Sequence, residues 1–508
     1  MSAAKEKAVQ FQTPGINETE ESPKKLNKHA CASVVVASII SMIYGYTIAV
    51  MSGALLFIKE DLKISDPQVQ LLAGILNACA LLGSLASGRI SDVMGRRYTI
   101  IVASLLFLAG SILMGYGPSY PILMIGRCVS GFGAGFALLT APVYCAEISP
   151  PSSRGLLTSV PELSINVGLL LGHASNYCFG KLSLRLGWKL MVGVTAIPSL
   201  GLAILMLKMV ESLRWLVMQG RVGEARKVLL LVSNSDLEAT ERLRGIKIAA
   251  GIDENCDQDT VPVPKKTGGG AGALKALLYR PSHSVRRILI AAVGVHLFLQ
   301  LSGFHAFLVY TPRIFGKAGM SDKSKVLLAT VGMGITKLIF TFVAAFLLDR
   351  AGRRVLLLIS SGGIVVSLVG LSVCLTMVEH SREEQEWAEG VSIVAVYGFV
   401  GFMGIGLGPV TWVYGSEIFP LRLRAQGLGI CSVVNSVTGV AVVMTFITVY
   451  EKITMGALFC VFTGATATAW WFYYLFLPET KGRSLEDMEA VFGKCPASKL
   501  QPPDSNHS

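Results

Sequence analysis

Gly88-Arg89-Ile90-Ser91-Asp92-Val93-Met94-Gly95-Arg96-Arg97 separates two apolar runs early in the chain, and Asp349-Arg350-Ala351-Gly352-Arg353-Arg354 separates two others late in it. Each is a short, basic, glycine-containing bridge, and each opens a series of landmarks. Glu147-Ile148-Ser149-Pro150-Pro151-Ser152-Ser153-Arg154 follows the fourth apolar run, and Glu417-Ile418-Phe419-Pro420-Leu421-Arg422-Leu423-Arg424 follows the tenth, with the same Glu-to-Arg separation. Glu211-Ser212-Leu213-Arg214 follows the sixth run and Pro478-Glu479-Thr480-Lys481-Gly482-Arg483 the twelfth. Three landmarks recurring in the same order, six runs apart, mark a duplicated six-helix unit. Parallel repeats with a site at the midplane between them are one architecture of secondary transporters.

The composition agrees. Hydrophobic residues make up 52% of the 508 and charged residues only 15%, against about 25% in soluble domains. A mean hydropathy of +0.57 excludes a secreted, nuclear or cytosolic globular protein. Apolar runs lie at 31–58, 69–90, 98–116, 121–146, 156–179, 188–210, 288–315, 326–348, 355–378, 391–416, 425–449 and 454–477, each close to the ~20 residues that cross a bilayer as a helix. The chain therefore reads as an all-α integral membrane protein of twelve transmembrane helices in two pseudo-symmetric halves. The expected layout is a tail at 1–28, a six-helix half at 29–210, a linker with short helices at 211–287, a second half at 288–480 and a tail at 481–508.

The formal charge of +12 sits mainly in the loops and is read as topology, not as a nucleic-acid surface. Lys and Arg concentrate in the tails, the linker and the motif loops, while the 379–390 loop carries five glutamates, which places both termini in the cytoplasm. The first apolar run is too long for a cleaved signal. The ten cysteines show no CxxC spacing and read as small buried hydrophobes. No metal cluster, cofactor motif or nucleophile–base set stands out, so an enzyme is not expected.

Tyr44-Gly45-Tyr46 with Ser52-Gly53, the Gly88–Arg97 loop, Gly408-Pro409-x-x-Trp412-x-x-x-Ser416-Glu417-Ile418-Phe419-Pro420 and Pro478–Arg483 together resemble the sugar porter family of the major facilitator superfamily. Arg214-Trp215-Leu216-Val217-Met218-Gln219-Gly220 and Glu417–Arg424 look most like the plant polyol and monosaccharide transporters. The resemblance implies the major facilitator fold, alternating access, a polyol or sugar as substrate, protons as co-substrate, and the plasma membrane; oligomerisation is not indicated, and a monomer is expected. It also favours a gate. Arg89, Asp92, Arg96, Arg97, Glu147 and Arg154 of one half, with Asp349, Arg350, Arg353, Arg354, Glu417 and Arg424 of the other, are expected to latch the cytoplasmic side by bridging between halves.

Ionisable and amide groups inside a membrane are costly and mark candidate sites. At ~1.5 Å per residue, Asn166, Gln300, Lys337 and Asn435 all lie roughly 15–18 Å deep. Neutral amides that donate and accept, beside an aromatic platform, suit a hydroxylated ligand. Trp412 follows Gly408-Pro409, where a helix can break, and is a candidate platform. By resemblance Gln300, Trp412 and Asn435 fall on sugar-contacting positions. Glu162, roughly 10 Å deep, and Lys337 both match the polyol type; an ion pair between them across the cavity is expected, the alternative being that Lys337 snorkels into water and Glu162 faces the cytoplasmic vestibule.

Two departures bear on coupling. Where proton-coupled relatives carry Asp after the Gly-Tyr of span 1, this chain has Thr47, although the partner Arg127 is retained. Where relatives have two Gln and then Asn or Asp, this chain has Leu299-Gln300 and His305; the histidine can bond a hydroxyl or hold a proton. The leading reading is a polyol or monosaccharide transporter with proton symport through Glu162 or His305. The alternatives are an uncoupled facilitator and a non-transporting sensor.

Overall fold

The computed structural model describes residues 27–117, 119–150, 153–253, 258–261, 283–380, 386–419 and 423–481. Both tails, most of the glycine-rich stretch at 261–270, the centre of the acidic loop and the side chains of Asp349 and Arg424 lie outside that description. Among the described residues, twelve helices are long and apolar enough to cross a membrane. Spans 1–6 run Lys28–Leu62, Asp66–Met94, Arg96–Tyr116, Tyr120–Ile148, Arg154–Phe179 and Leu184–Met206. Spans 7–12 run His283–Lys317, Lys323–Leu348, Arg353–His380, Trp387–Ile418, Gln426–Ile453 and Met455–Phe476.

The polar signals at the ends of the apolar runs set where these helices stop. Ser65 and Gln68 form a capping box ahead of span 2, with Pro67 in the first turn, where its missing N–H costs nothing. Gly95 and Gly352 take φ of +94° and +91°, which lets the chain turn sharply from span 2 into span 3 and from span 8 into span 9.

Two interruptions position the interior. Span 7 is two helices, His283–Leu301 and Phe304–Lys317, joined through Ser302 and Gly303, whose φ is +82°. Span 10 does not break at Gly408-Pro409. It carries a π-helical turn at Met403–Leu407, and the α-helix resumes at Gly408 with Pro409 in its first turn. The Ser360 hydroxyl accepts from Leu407 N–H and donates to Phe402 C=O, so the backbone groups released by the wider turn are satisfied from span 9.

Span 1 packs on span 5 and span 2 on span 4 in the first half; span 9 packs on span 12 in the second. The halves meet through spans 5 and 8, spans 2 and 11, and span 1 against the second piece of span 7. The motif loops and the outermost described residues, Asn27 and Lys481, lie on one side, here the motif side. A single apolar core runs through most of the second half and takes in Val50–Ile58, Val69–Ala73 and Trp188–Val192 on the far side of the first half. The motif-side part of the first half forms a second core of its own, which includes Leu213–Val217, Val222–Val232 and Leu243. The helices Leu213–Met218, Val222–Val232 and Asp236–Ala250 after span 6 therefore dock on the first half. Arg242 fixes the last of them, its guanidinium donating to the carbonyls of Ile148 and Ser149 at the end of span 4.

Ion pairs staple the far side across the halves. Arg313 of span 7 reaches Asp66 of span 2 at 2.6 Å and also donates to the Tyr450 hydroxyl. Lys323 of span 8 meets Glu60 of span 1 at 2.5 Å, and Gln70 of span 2 bonds Thr448 of span 11.

Candidate substrate site

The break in span 7 lets two of its residues converge. Gln300 ends the first piece and His305 starts the second; Gln300 Oε1 lies 2.7 Å from His305 Nδ1. Gln300 Nε2 donates to Asn435 Oδ1 of span 11 at 2.9 Å. Gly439, one turn further along span 11, leaves room for this amide, since a Cβ there would stand 3.0 Å from Gln300 Oε1. Three candidate residues from three helical segments thus form one hydrogen-bonded chain.

Lys337 of span 8 stands beside it, its ammonium 4.8 Å from the centroid of the Phe304 ring. The expected ion pair with Glu162 is not formed. Lys337 instead makes a cation–π contact, and Glu162 acts on it only through space. Glu162 is solvent-accessible, and each charge keeps some hydration that a closed pair would lose. The same ammonium acts on the rings of His305 and His173. His173, buried against Gly334 where spans 5 and 8 touch, was not singled out from the sequence, although a histidine inside a span is itself a signal.

Asn166 and Trp412 stand apart from the chain of amides. Asn166 is 1% exposed and donates to the Glu162 carbonyl of its own helix, leaving Oδ1 without a partner. Trp412 is half exposed and meets His296 edge-on at 5.1 Å. His296, held by the Ala292 carbonyl, was likewise missed.

Arg127 is 2% exposed and donates to the backbone carbonyls of Thr47 (3.1 Å) and Leu72 (3.5 Å). The Thr47 hydroxyl turns away and donates to Ile43 C=O. The retained arginine thus still reaches the altered position, through main chain and not through a carboxylate.

On the motif side the expected gate residues whose side chains are described form two matching clusters, one inside each half. Arg96 pairs with Asp92 and Glu147, both at 3.2 Å, and the Ser212 hydroxyl donates to Glu147. Arg353 pairs with Glu417 at 2.8 Å, and the Thr480 hydroxyl donates to Glu417. Glu211 accepts from the backbone N–H groups of Arg96 and Arg97; Glu479 accepts from those of Arg353 and Arg354. Each carboxylate so caps the N-terminus of span 3 or span 9, where free N–H groups and the helix dipole favour negative charge. Burial pushes the Glu211 carboxyl up from its ordinary range, and its backbone bonds pull back. Arg97 and Arg354 donate to the carbonyls of Met209 and Tyr474, while Arg89, Arg154 and Arg350 are exposed. The hydroxyls of Tyr144 and Tyr414 complete the repeat, donating to Val210 and Pro478. The capping glutamates and these tyrosines were not among the expected gate residues, yet their recurrence at equal offsets in both halves was there to find.

The family described as "Sugar (and other) transporter" matches residues 33–492. "Probable polyol transporter 3" of Arabidopsis thaliana is 55% identical over 468 residues, covering 92% of each chain. "Polyol transporter 5" of the same plant is 51% identical over 470 residues, 92% of this chain and 87% of that one. Among solved structures, the proton:xylose symporter XylE bound to 6-bromo-6-deoxy-D-glucose has a TM-score of 0.71 at 26% identity, over 92% of this chain and all of that one. The inward-open form of XylE from E. coli has a TM-score of 0.74 at 23% identity, over 91% and 99%, and shares the fold. A duplicated six-helix unit, the signature loops clustered on one side and a sequence match over nine-tenths of the length lead to one assignment: the chain belongs to the sugar transporter family of the major facilitator superfamily, a secondary transporter and not an enzyme.

Proposed function

We propose that the protein moves polyols, and monosaccharides of similar size, across the plasma membrane by alternating access, as a proton symporter and a monomer. The motif side is the cytoplasmic side, with the tails at 1–28 and 481–508 and the linker at 211–287 all inside. The carrying observation is the Asn435–Gln300–His305 chain beside Lys337 and Glu162, at the meeting of the halves and on the cytoplasmic side of the far-side ion pairs. Such a layer offers alternating donors and acceptors to a ligand made of hydroxyls. The names of the plant relatives support a polyol, and the Lys and Arg distribution supports the orientation. Glu162 supplies a carboxylate open to solvent, facing a lysine, as the proton site.

One observation favours the uncoupled reading. The Arg127 guanidinium donates to the carbonyls of Thr47 and Leu72, so main chain stands where proton-coupled relatives hold a titrating carboxylate. Uptake of labelled sorbitol, inositol and glucose by a transport-deficient cell, with and without protonophore, separates the readings. Uptake that collapses with protonophore supports symport. Uptake indifferent to it leaves the facilitator, and none at all defeats the transport reading for these substrates.

A further inference from the structure

The amide chain at the site has a polarity, and the polarity decides what a hydroxyl meets. Gln300 Nε2 donates to Asn435 Oδ1, so Gln300 Oε1 is the end that faces His305 Nδ1. A carboxamide oxygen only accepts, so Nδ1 carries the imidazole proton. Gln300 is 1% exposed and both ends of its amide are engaged. His305 is only partly buried, and among the described residues its Nε2 has no hydrogen-bond partner. The Lys337 ammonium acts on the same ring. A cation beside an imidazole favours the arrangement in which a lone pair, and not a second N–H, faces the shared space. At the other end, Asn435 has its oxygen engaged by Gln300 and keeps its NH2 group.

Resting on the polyol reading above, we propose that His305 is a specificity-determining acceptor. Gln300 holds the imidazole as its Nδ1–H tautomer, so that Nε2 accepts the proton of one substrate hydroxyl while Asn435 Nδ2 donates to another hydroxyl oxygen. His305 then selects for a hydroxyl at one position of the substrate and is not the proton carrier.

The two conservative replacements of histidine part these roles. In His305→Asn the side-chain amide can replace Nδ1 and keep the bond to Gln300, with nothing where Nε2 stood. In His305→Gln the amide reaches the place of Nε2 and gives up the bond to Gln300. Apparent affinities are measured by competition against labelled polyol, using its series of monodeoxy and monofluoro analogues; fluorine occupies the place of a hydroxyl but donates nothing. In the wild type, at one position, the deoxy and the fluoro analogue should both lose roughly 3- to 10-fold, the worth of one hydrogen bond. His305→Asn should erase that discrimination and His305→Gln retain part of it. A fluoro analogue as good as the parent wherever the deoxy analogue fails would mean that His305 donates, and would overturn the proposal even if both variants failed to fold. Discrimination kept by His305→Asn and lost in His305→Gln would reduce His305 to a prop for Gln300, and would overturn it too. A wild type that transports no polyol sinks the substrate reading and this inference with it, whereas uptake with the wrong analogue profile sinks this inference alone.

Discussion

Replacing Asp66 by Asn should release the far side. Asp66 bonds Lys59 and Arg313, but Lys59 belongs to its own half, so only the Arg313 bond is lost when the halves part there. That pair is largely enclosed, with side chains 26% and 15% exposed. A hydrogen bond to a charged group is worth about 1.5–3 kcal/mol net and a neutral one about 1 kcal/mol, so exchanging carboxylate for amide removes about 1–2 kcal/mol. Because the loss falls on one conformation only, the population open to the far side should rise roughly 5- to 30-fold. Glu60→Gln is the matched control. Its pair with Lys323 also bridges the halves, but both side chains are about half exposed, which limits it to about 0.5 kcal/mol, or roughly twofold. The assay is the rate at which a membrane-impermeant thiol reagent, added on the far side, modifies a cysteine placed at Phe304, relative to the same chain without it. Equal rates for Asp66→Asn and Glu60→Gln, or no acceleration over the parent, would refute the reasoning that the enclosed pair holds that side shut.

Gly95→Ala and Gly352→Ala should each lower the melting temperature in detergent, by the equivalent of about 1–2 kcal/mol or more, because each site combines a positive φ with a Cβ position under 3 Å from a capping carboxylate. Gly155→Ala, with open space around it, should leave the melting temperature unchanged. Thr47→Asp should fold normally, since Arg127 already reaches that residue, and should make initial uptake depend more steeply on external acid at equal surface expression. A flat profile in that variant would show that restoring the carboxylate does not restore coupling. Glu162→Gln should abolish protonophore-sensitive accumulation while sparing substrate exchange down its own gradient; loss of both together would place Glu162 in substrate binding instead.

The count and order of the spans were legible because each obeys one simple rule, about twenty apolar residues between polar stops. The duplication was legible because its polar landmarks recur at matching places. What escaped the sequence was direction and distance between side chains. Glu162 and Lys337 read as lying at depths two long side chains can bridge, but depth along a helix axis does not say which ring lies nearer, and Lys337 stands over Phe304. Arg96 and Glu147 suggested a bridge between halves because opposite charges in different loops look alike whether the loops share a half or face each other. Span 10 illustrates a subtler limit. Gly408-Pro409 carries the local signature of a break, yet Ser360, a residue of another helix, supplies the bonds that keep the helix going. Gly303, which does break span 7, looks no different in sequence from glycines inside continuous helices.

The capping glutamates tie each six-span unit end to end. Glu211, emerging after span 6, closes the start of span 3, and Glu479 does the same for span 9 after span 12. A growing chain therefore leaves the head of span 3 open until the residues past span 6 have left the ribosome, and only then is that bundle complete. The motif side of the first bundle can be closed before the second is synthesised, since that cap borrows nothing from the later sequence, whereas the far-side core waits for the second half. Each six-span unit so carries its own closing glutamate, and the motif-side end of one half is held together without help from the other, which leaves the two ends free to move against each other.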